Sequence, residues 1–253
     1  MNHAGAFRIG LIGYGKMGKE IESVANDYQI SIGAIIDAHV EGTQRHITEE
    51  SLRDVDVCIE FTEPSSVLAN IEAIASTGRD LVVGTTGWYD QIDAVRQIVE
   101  KHNVGCVYAS NFSIGMKLFE RIVRRAGELF ASQSMYDCFL HEAHHAKKKD
   151  SPSGTALTLA NALLSVLPAK KNIVSGEVHG EKPSDILHIA SSRGGAIPGT
   201  HTVTFDSMAD TIELTHRARS RRGFAEGALV AARWVHGKKG LFTMENMLDE
   251  QSI

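Results

Sequence analysis

Phe7-Arg8-Ile9-Gly10-Leu11-Ile12-Gly13-Tyr14-Gly15-Lys16-Met17-Gly18 reads as a short apolar strand running directly into G-x-G-x-x-G, and Ile21, Val24 and Ala25 continue it at helical spacing. A strand, a glycine turn and a helix in that order suit the pyrophosphate of a dinucleotide. The glycines permit the tight turn and let backbone approach phosphate closely. Tyr14, Lys16 and Met17 fill the turn beside Gly13 and Gly15. Glycine-rich turns are common in α/β proteins, so the turn gains its weight from the residues downstream of it. A second apolar run, 30–36, ends in Asp37 about twenty residues past the last glycine, where a ribose-binding acid belongs. Asp37 accepts hydrogen bonds from an adenosine ribose and repels a 2′-phosphate, which predicts NADH as the preferred cofactor. His39 can donate to such a phosphate, so NADPH is expected to be tolerated as well.

Strand-like and helical runs keep alternating: 55–61, 81–83 and 104–109 as strands, 65–76 and 92–102 as helices. The predicted fold is therefore α/β, a Rossmann-type doubly wound parallel sheet with ligands at the carboxyl ends of its strands. Three loops follow those ends: Thr62-Glu63-Pro64, Gly84-Thr85-Thr86-Gly87 and Ala109-Ser110-Asn111-Phe112. Their small hydroxyl and amide side chains suit nicotinamide and its ribose. Any one of them is ordinary turn chemistry; three in register point to a nucleotide.

Past Asn111 the pattern changes. Residues 114–130 read as a helix and 135–142 as a strand. Val203, Phe205, Ile212 and Leu214 alternate with polar neighbours, as half-buried antiparallel strands do. A helical run at 224–236 precedes a short tail. This half is expected to be a second α+β domain, an open mixed sheet with helices on one face. Its strand delivers Glu142-Ala143-His144-His145-Ala146-Lys147-Lys148-Lys149-Asp150-Ser151-Pro152-Ser153-Gly154-Thr155-Ala156, two imidazoles and three ammonium groups ahead of a helix start. Ala156, Leu159, Ala160, Leu163, Leu164 and Leu167 recur at helical spacing until Pro168. Ser151 is the expected cap with Pro152 in the first helical position, leaving the N–H groups of Ser153, Gly154 and Thr155 free beside the positive end of the helix dipole. The stretch reads as a receptor for a small dicarboxylate with acid–base groups in place. Which lysine points inward is not fixed by spacing.

The 253 residues carry a net charge of -5, with 43% hydrophobic and 23% charged residues. Such a balance gives no basic field for nucleic acid. Cys58, Cys106 and Cys138 are scattered, with neither metal-ligand nor disulfide spacing, so no metal is expected and a reducing cytoplasm is the simplest setting. No run is long and apolar enough to span a bilayer, so no membrane partner is expected.

The pattern His144-x-x-x-Lys148-x-Asp150-x-Pro152-Ser153-Gly154-Thr155-Ala156 resembles the signature of the 4-hydroxy-tetrahydrodipicolinate (dihydrodipicolinate) reductase family. Gly84-Thr85-Thr86-Gly87, Asn111-Phe112-Ser113, Ile197-Pro198-Gly199-Thr200-His201-Thr202 and Glu213-Leu214-Thr215-His216 also match family patterns, so the likeness runs the whole length. Glu60 stands where many relatives carry Asp, and Lys16 where many carry Arg. The resemblance implies NAD(P)H-dependent reduction of 4-hydroxy-tetrahydrodipicolinate with loss of water, in lysine and diaminopimelate synthesis. It implies that His144 and Lys148 handle protons, that His145 binds one substrate carboxylate, and that Gly154 and Thr155 bind another with help from Ser153. It further implies a dinucleotide-binding domain of 1–110 with 222–253, a substrate-binding and oligomerisation domain of 111–221, hinges near Asn111 and Arg221, and a homotetramer. Two competing readings are a different dinucleotide-dependent reductase, such as an amino-acid dehydrogenase, and a regulator that senses NADH without turnover. The first gives no account of the dicarboxylate-shaped helix start, and the second has no need of His144 and Lys148 together.

Overall fold

The computed structural model describes residues 7–251. The chain divides into two compact units, Met1–Ile114 with Arg221–Ile253, and Gly115–Ser220. The first begins as β1 (Arg8–Ile12), α1 (Lys16–Ala25), β2 (Ser31–Ile36), β3 (Val57–Glu60), α2 (Val67–Ser76), β4 (Asp80–Val83), α3 (Ile92–His102) and β5 (Gly105–Tyr108). Every residue of β3 and β4 is buried, which explains why these strands read as continuous apolar runs rather than alternating ones.

The second unit is built from α4 (Ile114–Phe130), β6 (Asp137–His144), α5 (Gly154–Leu164), β7 (Asn172–Ser175), β8 (Ile186–Arg193), β9 (Thr200–Asp206) and β10 (Thr211–Arg217). Its sheet order is β10-β9-β6-β8-β7, with β6, β8 and β7 parallel and β9 antiparallel to both β6 and β10. The predicted mixed sheet is thus present. Leu140 pairs in register with Ile189 and Val203, and Val203 with Leu214. This apolar row meets Met116, Phe119 and Val123 of α4 and Leu159, Ala160 and Leu163 of α5. One step along β6, still on the helix-covered side, the row becomes Ser191, Glu142, His201 and His216. Ionisable groups therefore cap the apolar core at the carboxyl end of β6.

The chain then returns to the first unit as α6 (Arg222–Val235), β11 (Gly240–Thr243) and α7 (Met244–Gln251). β11 joins β5 in parallel and completes a six-stranded parallel sheet of order β11-β5-β4-β3-β1-β2. Ile21, Val24, Ala228, Leu229 and Met247 fill one face, and Ile71, Ile74, Val95 and Val99 the other. The expected tail is therefore a strand and a helix. Four residues, Gly-Leu-Phe-Thr, carry too little periodicity to announce a strand.

Candidate active site

In the first unit, strand order reverses between β1 and β3, and the glycine turn sits at that switch. Gly13 has φ +91°, and a β-carbon there would overlap the carbonyl oxygen of Phe61. One on Gly18 would overlap the carbonyl of Gly13. Gly15 meets nothing within 4 Å in that direction, and it caps α1 without a side-chain hydrogen bond. Two glycines are thus needed for packing and the third leaves an open cradle before free helix N–H groups, as a pyrophosphate requires. Asp37 Oδ2 accepts from Tyr14 N–H at 2.8 Å and Oδ1 from His39 N–H at 2.8 Å. Burial works to raise the Asp37 carboxyl, but these bonds outweigh it and hold it below its usual value. Lys16 is exposed as the first residue of α1, with Met17 half-buried behind it.

The loops after β3, β4 and β5 are tied together. Thr62 N–H donates to Thr85 Oγ at 2.7 Å. Gly84 lies so close to the Phe61 ring that no side chain fits, and Phe61 meets Phe112 edge-on at 6.2 Å. Asn111 Oδ1 accepts from Ser113 N–H at 2.8 Å. Ala109 and Phe112 are buried, while Thr86 and Ser110 are exposed. Beneath these loops Glu60 is fully buried, bonded to Thr62 Oγ and Asn70, and burial pushes its carboxyl upward.

In the second unit, Glu142 is fully buried at the centre of the ionisable row. Its Oε1 accepts from Ser153 N–H at 3.0 Å, Ser191 Oγ–H at 2.8 Å and Arg193 Nη2–H at 2.7 Å. Its Oε2 faces His144 Nδ1 at 3.3 Å and His201 Nε2 at 3.6 Å. Burial opposes charge on this carboxyl, yet its contacts with His201, Ser153, Arg193 and Ser191 overcome that and hold it far below the usual range. Burial pushes the His144 imidazole down to about 4; Glu142 pulls the other way, while His201, Lys148 and Arg193 add to the fall. His144 is therefore neutral near pH 7. Three donor atoms of Glu142, His144 and His201 lie within 4.8 Å of one another, but the Arg193 guanidinium on the same carboxylate works against a dication there.

His145 is half-buried and anchored by its N–H to Ile197 O at 2.8 Å. Lys148 Nζ bonds both oxygens of Asp150, at 2.8 and 2.9 Å. Lys147 and Lys149 are exposed, whereas Lys148 is half-buried. Asp150 is held below its usual value first by Lys148 and also by the backbone of Gly154. A carboxylate of the chain itself thus lies between the lysine and the helix start.

The helix start departs from the expectation. Ser153, not Ser151, caps α5, its Oγ accepting from Ala156 N–H at 3.1 Å. Pro152 precedes the cap after a cis peptide bond. Ser153 N–H is taken by Glu142, so it is not one of the three free N–H groups expected at this helix start, and the Gly154 backbone lies against Asp150. Gly154 has nothing within 4 Å where a β-carbon would stand. Glu142, Arg193 and His201 were not assigned from sequence. Glu142 carried one signal, an acid two residues before His144 and so on the same strand face.

Comparisons with known proteins identify the family and the fold. Residues 7–112 match the family described as dihydrodipicolinate reductase, N-terminus, and 115–248 its C-terminus. The 4-hydroxy-tetrahydrodipicolinate reductase of Christiangramia forsetii is 37% identical over 96% of this chain and 98% of its own. That of Paraburkholderia phymatum is 35% identical over 92% and 96%. Among solved structures, the dipicolinate-bound dihydrodipicolinate reductase from Paenisporosarcina sp. TG-14 superposes with a TM-score of 0.77 at 24% identity, covering 96% of this chain and all (100%) of that one. With both units matched and curated relatives aligned almost end to end, the chain belongs to the dihydrodipicolinate reductase family.

Proposed function

We propose that the chain reduces 4-hydroxy-tetrahydrodipicolinate to tetrahydrodipicolinate with loss of water, in lysine and diaminopimelate synthesis, using NADH in preference to NADPH. The observation that carries this reading is the family match across both units. We assign nucleotide binding to the first unit, through Gly13, Tyr14, Gly15, Lys16, Met17 and Asp37, and through Gly84, Thr85, Thr86, Ala109, Ser110, Asn111 and Phe112. Bound there, reduced nicotinamide supplies the hydride. The NADH preference rests on Asp37, whose charge opposes a second phosphate on the ribose.

The second unit takes the substrate. Gly154 and Thr155 offer backbone N–H groups to one carboxylate, with Ser153 holding the cap, and His145 meets the other. The dipicolinate of the Paenisporosarcina relative has the shape and charge such a site would accept. His144 and Lys148 handle the protons. His144 is neutral before substrate arrives, and a bound dianion raises its proton affinity. Substrate binding thereby loads His144 with a proton, while Lys148 exchanges Asp150 for the ligand. No step calls for a metal. A homotetramer built through the open face of the second sheet, working in the cytoplasm, completes the proposal.

The test is a coupled assay. The purified protein is mixed with substrate freshly generated by the upstream synthase, with NADH or NADPH, and the absorbance of reduced nicotinamide is followed. Rapid oxidation, faster with NADH, is expected. No oxidation of either nucleotide above the protein-free rate would reject the reading.

A further inference from the structure

We propose that Glu142 is a positioning residue for this reaction, its single buried carboxylate fixing both the imidazole of His144 and the backbone start of α5. The inference rests on the proposed function and adds a residue to it.

One oxygen of Glu142 serves the helix and the other serves the imidazole. Oε1 gathers Ser153 N–H, Ser191 Oγ–H and Arg193 Nη2–H, tying the first residues of α5 to the sheet. Among the described residues neither Oε2 nor His144 Nδ1 meets a hydrogen-bond partner at normal distance; both are buried, and they face each other at 3.3 Å. A charged acceptor opposite Nδ1 keeps the neutral ring's proton on that nitrogen. Nε2 is then the atom left to exchange a proton, and it points toward the Gly199 backbone. His201 closes the arrangement, its Nε2 lying 3.2 Å from Ser153 Oγ and 3.6 Å from Glu142 Oε2.

The charged and titratable groups around the pair come from every neighbouring element. They are Arg193 on β8, His201 on β9, His216 beyond it on β10, and Lys148 and Asp150 on the turn into α5. Arg193 alone would make Glu142 an ordinary buried ion-pair partner. An ion pair with Arg193 would not need the second oxygen set between His144 Nδ1 and His201 Nε2, with Nδ1 otherwise unpartnered among the described residues. Because Glu142 also holds Ser153, a shift of the helix start and a shift of the imidazole are the same movement.

Three measurements test this. In wild-type protein, nitrogen chemical shifts of the His144 ring near pH 7 are expected to report the Nδ1–H tautomer; the Nε2–H tautomer overturns the proposal without any variant. Glu142→Gln keeps the shape but turns an amide toward Nδ1. Turnover is expected to fall at least about 10²-fold, as when the carboxylate of a carboxylate–histidine pair is neutralised. Any limb of the kcat–pH profile set by His144 moves to lower pH, since the charge favouring its protonated form is gone. Glu142→Asp, which retains the charge, restores the limb while raising the substrate KM. In a His144→Gln background the Glu142→Gln change is expected to cost little more, because the two act as one unit. Independent, multiplying losses, or an unmoved pH profile with near-normal turnover, overturn the role. If wild-type protein itself fails to oxidise reduced nicotinamide with substrate, the proposed reaction falls, while the tautomer measurement still decides the geometry.

Discussion

Gly199 brings its backbone so near His144 that a β-carbon there would stand 3.0 Å from Nε2. The ring cannot retreat, since Glu142 Oε2 lies 3.3 Å from its other nitrogen. Gly199→Ala is therefore expected to turn the imidazole or displace its own loop, lowering turnover by up to about 10²-fold with nucleotide affinity unchanged; an alanine variant at full rate would show that Nε2 does not act. His144→Gln and Lys148→Gln remove the two groups proposed to carry protons. Each should lower turnover on the order of 10²–10⁴-fold, and titrating nucleotide into each variant should give a Kd near that of the parent. Asp37 takes backbone N–H groups from both sides, Tyr14 of the glycine turn on one oxygen and His39 of its own loop on the other. Its carboxylate is thus held in one orientation, as the proposed ribose contact requires. Asp37→Ala is expected to weaken NADH more than NADPH in paired binding titrations, and equal weakening would remove Asp37 from the ribose.

At the scale of elements, the decisive one is the passage from β6 into α5. Ser153 Oγ holds Ala156 N–H, so Ser153→Ala should destabilise the fold by about 1 kcal/mol in denaturant melts, while Ser151→Ala, at an exposed position outside the helix, should be close to neutral. The reverse order would return the cap to Ser151. The local pattern Ser-Pro-Ser satisfies two cap placements equally. What separates them is Glu142 accepting the Ser153 N–H from eleven residues away, a tertiary contact that helix signals do not carry. The same limit hid Glu142 itself. Along β6 the buried face runs Cys138, Leu140, Glu142, His144, and a charge at a strand position ordinarily reads as solvent-facing. The glycine turn, the alternating first half and the His144–Lys148–Gly154 stretch were legible because each depends on local backbone chemistry or short spacing. β7, β8 and β11 were not. β7 and β11 are four residues each, and β8 mixes serines, histidine and arginine into its pattern.

Across the whole molecule, the fully buried carboxyls of the two units, Glu60 in the first and Glu142 in the second, meet acid with opposite signs. The apolar core of the second ends in His144, Glu142, His201 and His216, whereas the first holds Glu60 beneath the loops that follow β3 and β4. An unfolded histidine takes up a proton near 6.5, but His144 in the folded unit resists until about 4. The stability this gives is complete above 6.5 and is lost as pH falls through that window, on the order of 3 kcal/mol for His144 by its lower end. His216, also depressed by burial, acts in the same direction. Glu142 continues it lower still, staying charged where an unfolded carboxyl is protonated. Glu60 does the opposite: burial raises its carboxyl, so the first unit regains stability as that group takes a proton. Acid should therefore melt the second unit first. Both tryptophans, Trp88 and Trp234, belong to the first unit. Urea unfolding near pH 4 is expected to show a far-UV circular dichroism transition that begins before tryptophan fluorescence changes, with the two probes drawing together near neutrality. Coincident transitions in acid, or fluorescence changing first, would mean that the buried histidines of the second unit do not set its acid limit.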